Sequence, residues 1–355
     1  SWNIYAFPTA SGNDFFDYPH AGVGRDAIYM GANIFGAVSF KESRVWAFDK
    51  WAMYNGQPAT SATKALPTSE DTPQPLNLHG WQQGTWPTSG PHYFFTNTNF
   101  NGQTYSVWSW ANPFSGSSPG KVGTVNLQTY TGVTAGMPVN VPQSGGQTIQ
   151  GNDFRPQDFE YRNGYAWSVS TIACNPGSGT VNCIRWAKIN PATATIADAG
   201  VYASNAQYRT FGDLAVNHCD DMAVGYTKSS TSMFPGIYYT GRKAGDAPGT
   251  LQAEALLKAG EIAYTSFETS APRRWGDYTE MTIAPDGTTF WYLGEYSKNT
   301  GTTSGRWGTY IGSFTYADCT TGGGPTPTPG PTSPPAPTAT PAPTATPQAG
   351  VMHVG

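Results

Sequence analysis

Three segments of this 355-residue chain place an arginine three or four residues ahead of an aspartate: Arg155-Pro156-Gln157-Asp158, Arg209-Thr210-Phe211-Gly212-Asp213 and Arg274-Trp275-Gly276-Asp277. A fourth, Asp17-Tyr18-Pro19-His20, supplies the aspartate without the arginine. A guanidinium is a planar fork that grips a carboxylate or sulfate through two parallel hydrogen bonds, so three of them on one face would suit an acidic sugar. The competing reading is structural: each Arg and Asp pairs within or between neighbouring repeats and holds the loops. Repetition favours the structural reading, because catalytic sites are asymmetric and a repeated residue usually serves the repeat.

The acid/base candidates near these segments are Asp17, His20, Asp158, Glu160, Asp213, Asp277 and Glu295, with Tyr18, Tyr161 and Tyr278 as partners. A glycosidase needs two carboxylates roughly 5 to 10 Å apart, and a lyase needs a base with a charge neutraliser. Neither is a sequence motif, and no catalytic residue is assigned. The chain contains no Gly-x-Ser-x-Gly, phosphate loop, HExxH, dinucleotide fingerprint or complete EF-hand loop. Trp81, Trp86 and Trp275 fall in loops or strand entries, where an exposed indole stacks on a sugar ring. No metal site is expected, since none of the four cysteines lies in a CxxC and the five histidines are scattered. The same holds for cofactors; calcium at Asp220-Asp221 is the alternative, against the commoner role of acidic residues in closing a turn.

These residues must be positioned by a strand-turn-strand unit that recurs about every 57 to 74 residues, a period that reads as a β-propeller. The turns are Arg25-Asp26, Ser89-Gly90, Asn163-Gly164, Asp220-Asp221 and Asp286-Gly287. Apolar strands follow at Ala27 to Phe35, His92 to Asn97, Tyr165 to Ala173, Met222 to Thr227 and Thr288 to Tyr296. Aromatic third strands follow those, around Trp46, Trp108, Trp186, Tyr238 and Trp307. Trp46, Trp108, Trp110, Trp167, Trp186, Trp291 and Trp307 occupy repeated strand positions, where packing between blades is the expected role. Trp2 to Pro8 match the third-strand pattern without inner strands before them, so the expectation is a chain that begins inside a blade. The fold class is therefore all-β, a propeller of six or seven four-stranded blades, five visible and one partial. The Arg/Asp segments precede the inner strands, which line the central channel, so its mouth is the place to look for a site.

Composition agrees: 14% aromatic and 12% charged residues with 42 glycines suit short strands joined by turns. A net charge of -4 and a pI of 5.7 leave no basic footprint for nucleic acid or an anionic membrane. No apolar stretch approaches the roughly 20 residues of a membrane span, and a monomer is expected. Cys174 and Cys183 flank a hairpin loop and form one candidate disulfide. Cys219 and Cys319 form the second, which would anchor the end of the propeller. Residues 319–349 are a Pro/Thr-rich extended spacer. Residues 350–355 restore apolar side chains, as if a further domain of the same chain began there, so the propeller is expected over residues 1–318 as part of a longer protein.

Asp17 to His20, Phe234 to Arg242, Arg274 to Tyr278 and Phe290-Trp291 resemble a family of secreted, mostly uncharacterised bacterial β-propellers, over essentially residues 1–316. Arg274-Trp275-Gly276-Asp277-Tyr278 and Tyr239-Thr240-Gly241-Arg242 are its most specific segments. The resemblance implies a fold rather than an activity, and in that family further propeller sequence precedes the strand matching Trp2. A more distant likeness is to sialidase-like propellers: Ala284 to Trp291 is similar to an Asp box but one residue short of its spacing. That family's tyrosine/glutamate nucleophile pair has no match here, so sialidase activity is an analogy of fold. The expected role is a bacterial extracellular or cell-surface module recognising a glycan or other surface ligand. The alternative is a hydrolase or lyase acting on an acidic glycan at the channel mouth.

Overall fold

The computed structural model describes residues 2–79, 86, 89–151, 153–265 and 269–320. Trp81, most of the expected spacer and the start of a following domain lie outside the described residues. Five antiparallel sheets succeed one another along the chain. The first contains β1 (Phe15–Val23), β2 (Ile28–Phe35), β3 (Phe40–Phe48) and β4 (Ser61–Ala65). The second contains β5 (Glu70–Pro75), β6 (His92–Thr98), β7 (Thr104–Trp110) and β8 (Gly120–Asn126). β9 (Glu160–Arg162), β10 (Tyr165–Cys174), β11 (Val181–Asn190) and β12 (Thr195–Tyr202) form the third. β13 (Tyr208–Val216), β14 (Met222–Ser230), β15 (Met233–Arg242) and β16 (Ala255–Lys258) form the fourth. The fifth has three strands, β17 (Glu280–Ile283), β18 (Phe290–Lys298) and β19 (Arg306–Phe314). Two one-turn helices, α1 (Lys50–Tyr54) and α2 (Leu127–Thr131), follow β3 and β8.

The expected hairpins form where local chemistry demands them. Asn163 and Gly164 both take positive φ, 47° and 87°, as a two-residue turn matching strand twist requires. Asp286 accepts hydrogen bonds from the backbone N–H groups of Thr288 and Thr289 and from the Thr289 hydroxyl, closing the β17–β18 turn. Asp221 accepts from the Asn217 amide within its own turn and from the Ala244 N–H after β15, and Asp220 accepts from the Asn163 amide of the β9–β10 turn.

Each main apolar cluster is shared by two consecutive sheets, which is how a propeller hides both faces of its blades. Tyr29 and Val45 of the first sheet meet Phe94, Trp108 and Trp110 of the second. Phe95 of the second stacks on Phe159, just before β9, at 5.0 Å between ring centroids. Trp167 and Trp186 of the third meet Leu214 and Tyr226 of the fourth, and Ala215 and Ile237 of the fourth meet Phe290 and Tyr292 of the fifth. β10 and β14 are consequently buried along almost their whole length, whereas β18 alternates buried and exposed. Trp291 and Trp307, expected between blades, are 43% and 49% exposed, because the fifth sheet is covered on one face only.

Trp2 to Pro8, expected as the third strand of a blade, form no strand. The first sheet already has its four strands within residues 15–65. Phe7 instead packs on Phe48 at 4.8 Å, and the Tyr5 hydroxyl donates to the Gln57 carbonyl beyond α1. Both disulfides are present, Cys174–Cys183 across the β10–β11 hairpin and Cys219–Cys319 tying the segment after β19 to the fourth sheet.

Candidate functional site

Three inner strands carry the same irregularity. Register slips by one residue between Asp17 and His20 in β1, Asp71 and Gln74 in β5, and Thr210 and Asp213 in β13. In each, the second residue takes a positive φ: Tyr18 at 54°, Thr72 at 50° and Phe211 at 53°. The third residue is Pro19, Pro73 or Gly212. A bulge leaves one N–H out of the ladder, which proline lacks and glycine tolerates. The bulge re-aims the fourth residue, so His20, Gln74 and Asp213 all line one central cavity of about 350 Å³. Gly31 stands opposite His20 because a Cβ there would lie 1.9 Å from the Pro73 carbonyl oxygen of the next sheet.

The third and fifth sheets complete the cavity with Gln157, Asp158, Tyr278 and Glu280, and His79 reaches it from beyond β5. Five polar atoms on its lining have no protein partner: His20 Nε2, Gln74 Nε2, Gln157 Nε2, Asp158 Oδ2 and Asp213 Oδ1. Donors and acceptors thus converge on the same space. Burial, with Arg155 adding to it, pushes His20 down to about 3, so the imidazole is neutral. Burial pushes Asp158 well above the usual carboxylate range, Glu160 adding to it, and burial with Asp158 nearby does the same to Asp213. His79 Nδ1 lies 2.8 Å from Glu160 Oε2 and its Nε2 lies 3.0 Å from Glu280 Oε1. Burial alone would lower that imidazole, but the two glutamates outweigh it and hold it protonated.

Tyr18 spans the mouth. Its hydroxyl donates to Gln157 Oε1 at 2.8 Å and lies 3.0 Å from the Asp277 carbonyl oxygen, bridging the first, third and fifth sheets. Its ring stacks on half-exposed Tyr278 at 5.0 Å and lies 4.2 Å from the Arg155 guanidinium. On the Arg155 side lies a second pocket, about 510 Å³, walled by Phe35, Phe40 and Phe100 and by Asn33, Asp71 and Arg155. Thr72, Asn99 and Phe100 on its lining hold positive φ values of 50°, 57° and 45°. Such conformations cost about 1–3 kcal/mol each and concentrate at functional sites. Burial raises Asp71 to about 7, although it accepts from the Thr72 hydroxyl and the Asn97 amide.

The three arginines do not form one clamp. Arg155 makes a bidentate pair with Asp153 at the mouth. Arg274 is 67% exposed on its side chain and pairs with its own Asp277 at 2.8 Å. Arg209 is buried away from both cavities, held by Glu254 and Ser204, with Lys228 and Tyr226 on the same carboxylate. Trp275, expected as an exposed platform, is 3% exposed and packs with Val141, Ile149, Phe211 and Tyr264 while its N–H donates to Thr227. Asp17 opens the β1 bulge opposite Asn33. Glu295 accepts from the Gly276 N–H, and Tyr161 stacks on half-buried Trp86. Sequence reasoning missed Asp71, Gln74, His79, Asp153, Glu280 and the phenylalanine wall. The signal for the first two was present, since Asp71-Thr72-Pro73-Gln74 repeats the pattern of Asp17-Tyr18-Pro19-His20.

No protein-family model matches the chain, and no curated protein matches it. Among solved structures it is similar to a protein of unknown function from Dyadobacter fermentans, at 8% identity and a TM-score of 0.42, covering 84% of this chain and 79% of that one. The β-propeller domain of the trilobed protease from Pyrococcus furiosus is similar at 7% identity and a TM-score of 0.38, covering 84% and 69%. A GH62 hydrolase solved with xylotriose is similar at 7% identity and a TM-score of 0.35, covering 84% and 91%. With its successive antiparallel sheets packed face to face about a central cavity, the chain is an all-β protein of the β-propeller type.

Proposed function

We propose that this propeller is an extracellular glycan-recognition module, one of several domains in its protein, and that it takes its ligand at the mouth where Tyr18, Arg155 and the phenylalanine-walled pocket meet. The observation that carries the reading is the pocket's chemistry. Phe35, Phe40 and Phe100 offer apolar faces, and Asn33, Asp71 and Arg155 offer donors and acceptors on the same space. A sugar ring presents that combination, an apolar face of C–H groups with hydroxyls at its edge. Arg155 supplies a positive charge at the mouth for an acidic sugar, although Asp153 already engages it. The two disulfides fit an oxidising compartment. Calorimetric titration against neutral, sialylated, uronic and sulfated oligosaccharides tests the reading. Binding that weakens by about tenfold or more in Phe100→Ala supports it; affinity unchanged in Phe100→Ala and Asn33→Ala refutes it.

A second reading is favoured by Asp71. A carboxyl held at about 7 retains its proton near neutrality and is suited to donate it to a leaving group, and Asp153 provides a second carboxylate near it. In this reading the module hydrolyses a glycoside. Mass spectrometry of soluble products distinguishes the two: a released sugar that disappears in Asp71→Asn makes it an enzyme, and bound but uncleaved glycan makes it a binding module.

A further inference from the structure

On one side of the central cavity the ligating atoms of His79, Asp158 and Glu160 all lie within 4.8 Å of one another. They come from two sheets. His79 follows β5, Asp158 and Glu160 enter and begin β9, and the two segments join through a parallel bridge between Asn77 and Glu160. Glu160 is fully buried, with Oε1 accepting the His79 backbone N–H and Oε2 facing the imidazole. Asp158 uses Oδ1 to accept from Phe159 N–H, but its buried Oδ2 has no partner. Beyond this trio, Asp213 is 3% exposed, lines the same cavity and also leaves an oxygen, Oδ1, unpartnered. Glu280 Oε1 faces the other side of the same imidazole.

The lining of this cavity carries three carboxyl groups, Asp158, Asp213 and Glu280, and neither lysine nor arginine, with the fully buried Glu160 behind His79. Arg162, behind His79, directs its guanidinium to the carbonyl oxygens of His79 and Val216 rather than to the acids. Asp158 and Asp213, each with one buried oxygen open and no lysine or arginine beside it on the lining, are costly to ionise unless a cation joins them. Carboxylate oxygens with a single imidazole are a ligand set for calcium, manganese or zinc. The other three-residue cluster among the described residues, His218 with Cys219 and Cys319, offers no thiolate because its cysteines are joined to each other.

We propose that a divalent cation binds in the central cavity, held by His79, Asp158 and Glu160, with Asp213 and Glu280 completing or hydrogen-bonding its shell. In the bound state an imidazole nitrogen of His79 turns its lone pair to the ion. The ion then replaces the His79–Glu160 pair as one of the links between the second and third sheets. This site is separate from the phenylalanine-walled pocket, and its test uses no glycan, so it stands or falls independently of the proposed function.

The test takes the full chain, stripped with EDTA and desalted, and titrates it calorimetrically with calcium, manganese and zinc chlorides in turn. The expected result is one-to-one binding of at least one ion, with a higher Tm in its presence. Affinity should fall about tenfold or more in Asp158→Asn and in His79→Gln and stay unchanged in Asp318→Asn, a surface control. Absence of binding for all three ions with folded protein overturns the proposal, as does unchanged affinity in both site variants. Should either site variant fail to fold, X-ray absorption on the loaded wild-type protein decides: one imidazole nitrogen in the shell supports the site, and an all-oxygen shell overturns it.

Discussion

Asp71→Asn is the perturbation whose outcome follows most directly from the physical argument. The carboxyl is held at about 7 in the folded protein against an ordinary 3.8, chiefly by burial beneath the phenylalanine pocket. Because the folded state binds this proton more tightly than the unfolded chain, the group destabilises the fold increasingly as pH rises from about 4 to about 7, and the penalty is constant above that. Three units at 1.36 kcal/mol each put it at about 4 kcal/mol at pH 8, falling to about 2 kcal/mol at pH 5. Asparagine has nearly the same shape and cannot ionise. It can still accept from the Thr72 hydroxyl, and a flipped Asn97, whose Oδ1 has no partner, can accept from the new amide. The variant should therefore be more stable than wild type at pH 8 by up to about 4 kcal/mol. For about 300 residues, one kcal/mol corresponds to about 1.5 °C, so its Tm should rise by about 6 °C at pH 8. That advantage should shrink by about 3–4 °C at pH 5. Calorimetric melting of both proteins across pH 4–8 reads the curve directly. A Tm difference independent of pH, or a variant less stable at pH 8, would refute the assignment of a buried, proton-holding carboxyl.

Glu254→Gln strips the buried Arg209 and Lys228 of their shared carboxylate and should lower stability by about 3–5 kcal/mol in guanidinium unfolding. The same carboxylate is held down to about 2, burial being overcome by Arg209, Lys228 and Tyr226, so its stabilisation should be present above about pH 4.5 and drain away as acid titration approaches 2. Replacing Cys219 and Cys319 by alanine opens a loop with a sequence separation of 100, against 9 for Cys174 and Cys183. The chain-entropy model then puts the long-loop loss at about 4–5 kcal/mol and the short-loop loss near 2–3; the opposite order in denaturant titrations would contradict it. Tyr18→Phe keeps the ring under Arg155 but loses the hydroxyl's bonds to Gln157 and the Asp277 carbonyl, a change expected to lower stability by about 1–3 kcal/mol.

What could be read in the sequence was what short-range chemistry decides. Asn163-Gly164 and Asp286-Gly287 dictate their hairpins through φ and through hydrogen bonds spanning two or three residues, and the apolar strands between such turns have little choice but to pair. The disulfides were legible for a related reason: Cys174 and Cys183 bracket one hairpin, which left Cys219 and Cys319 as the remaining pair. The tertiary structure alone decided where charge and aromatic surface went. Arg155, Arg209 and Arg274 share a sequence pattern yet meet Asp153, Glu254 and Asp277, because each guanidinium takes the carboxylate its own packing brings within reach. Trp275 vanished into a core assembled from Val141, Ile149, Phe211 and Tyr264, residues as much as 134 positions away by subtraction of their numbers. The cavity lining likewise needs residues from several sheets at once, and convergence over such separations leaves no local trace except the bulge that Pro19, Pro73 and Gly212 mark.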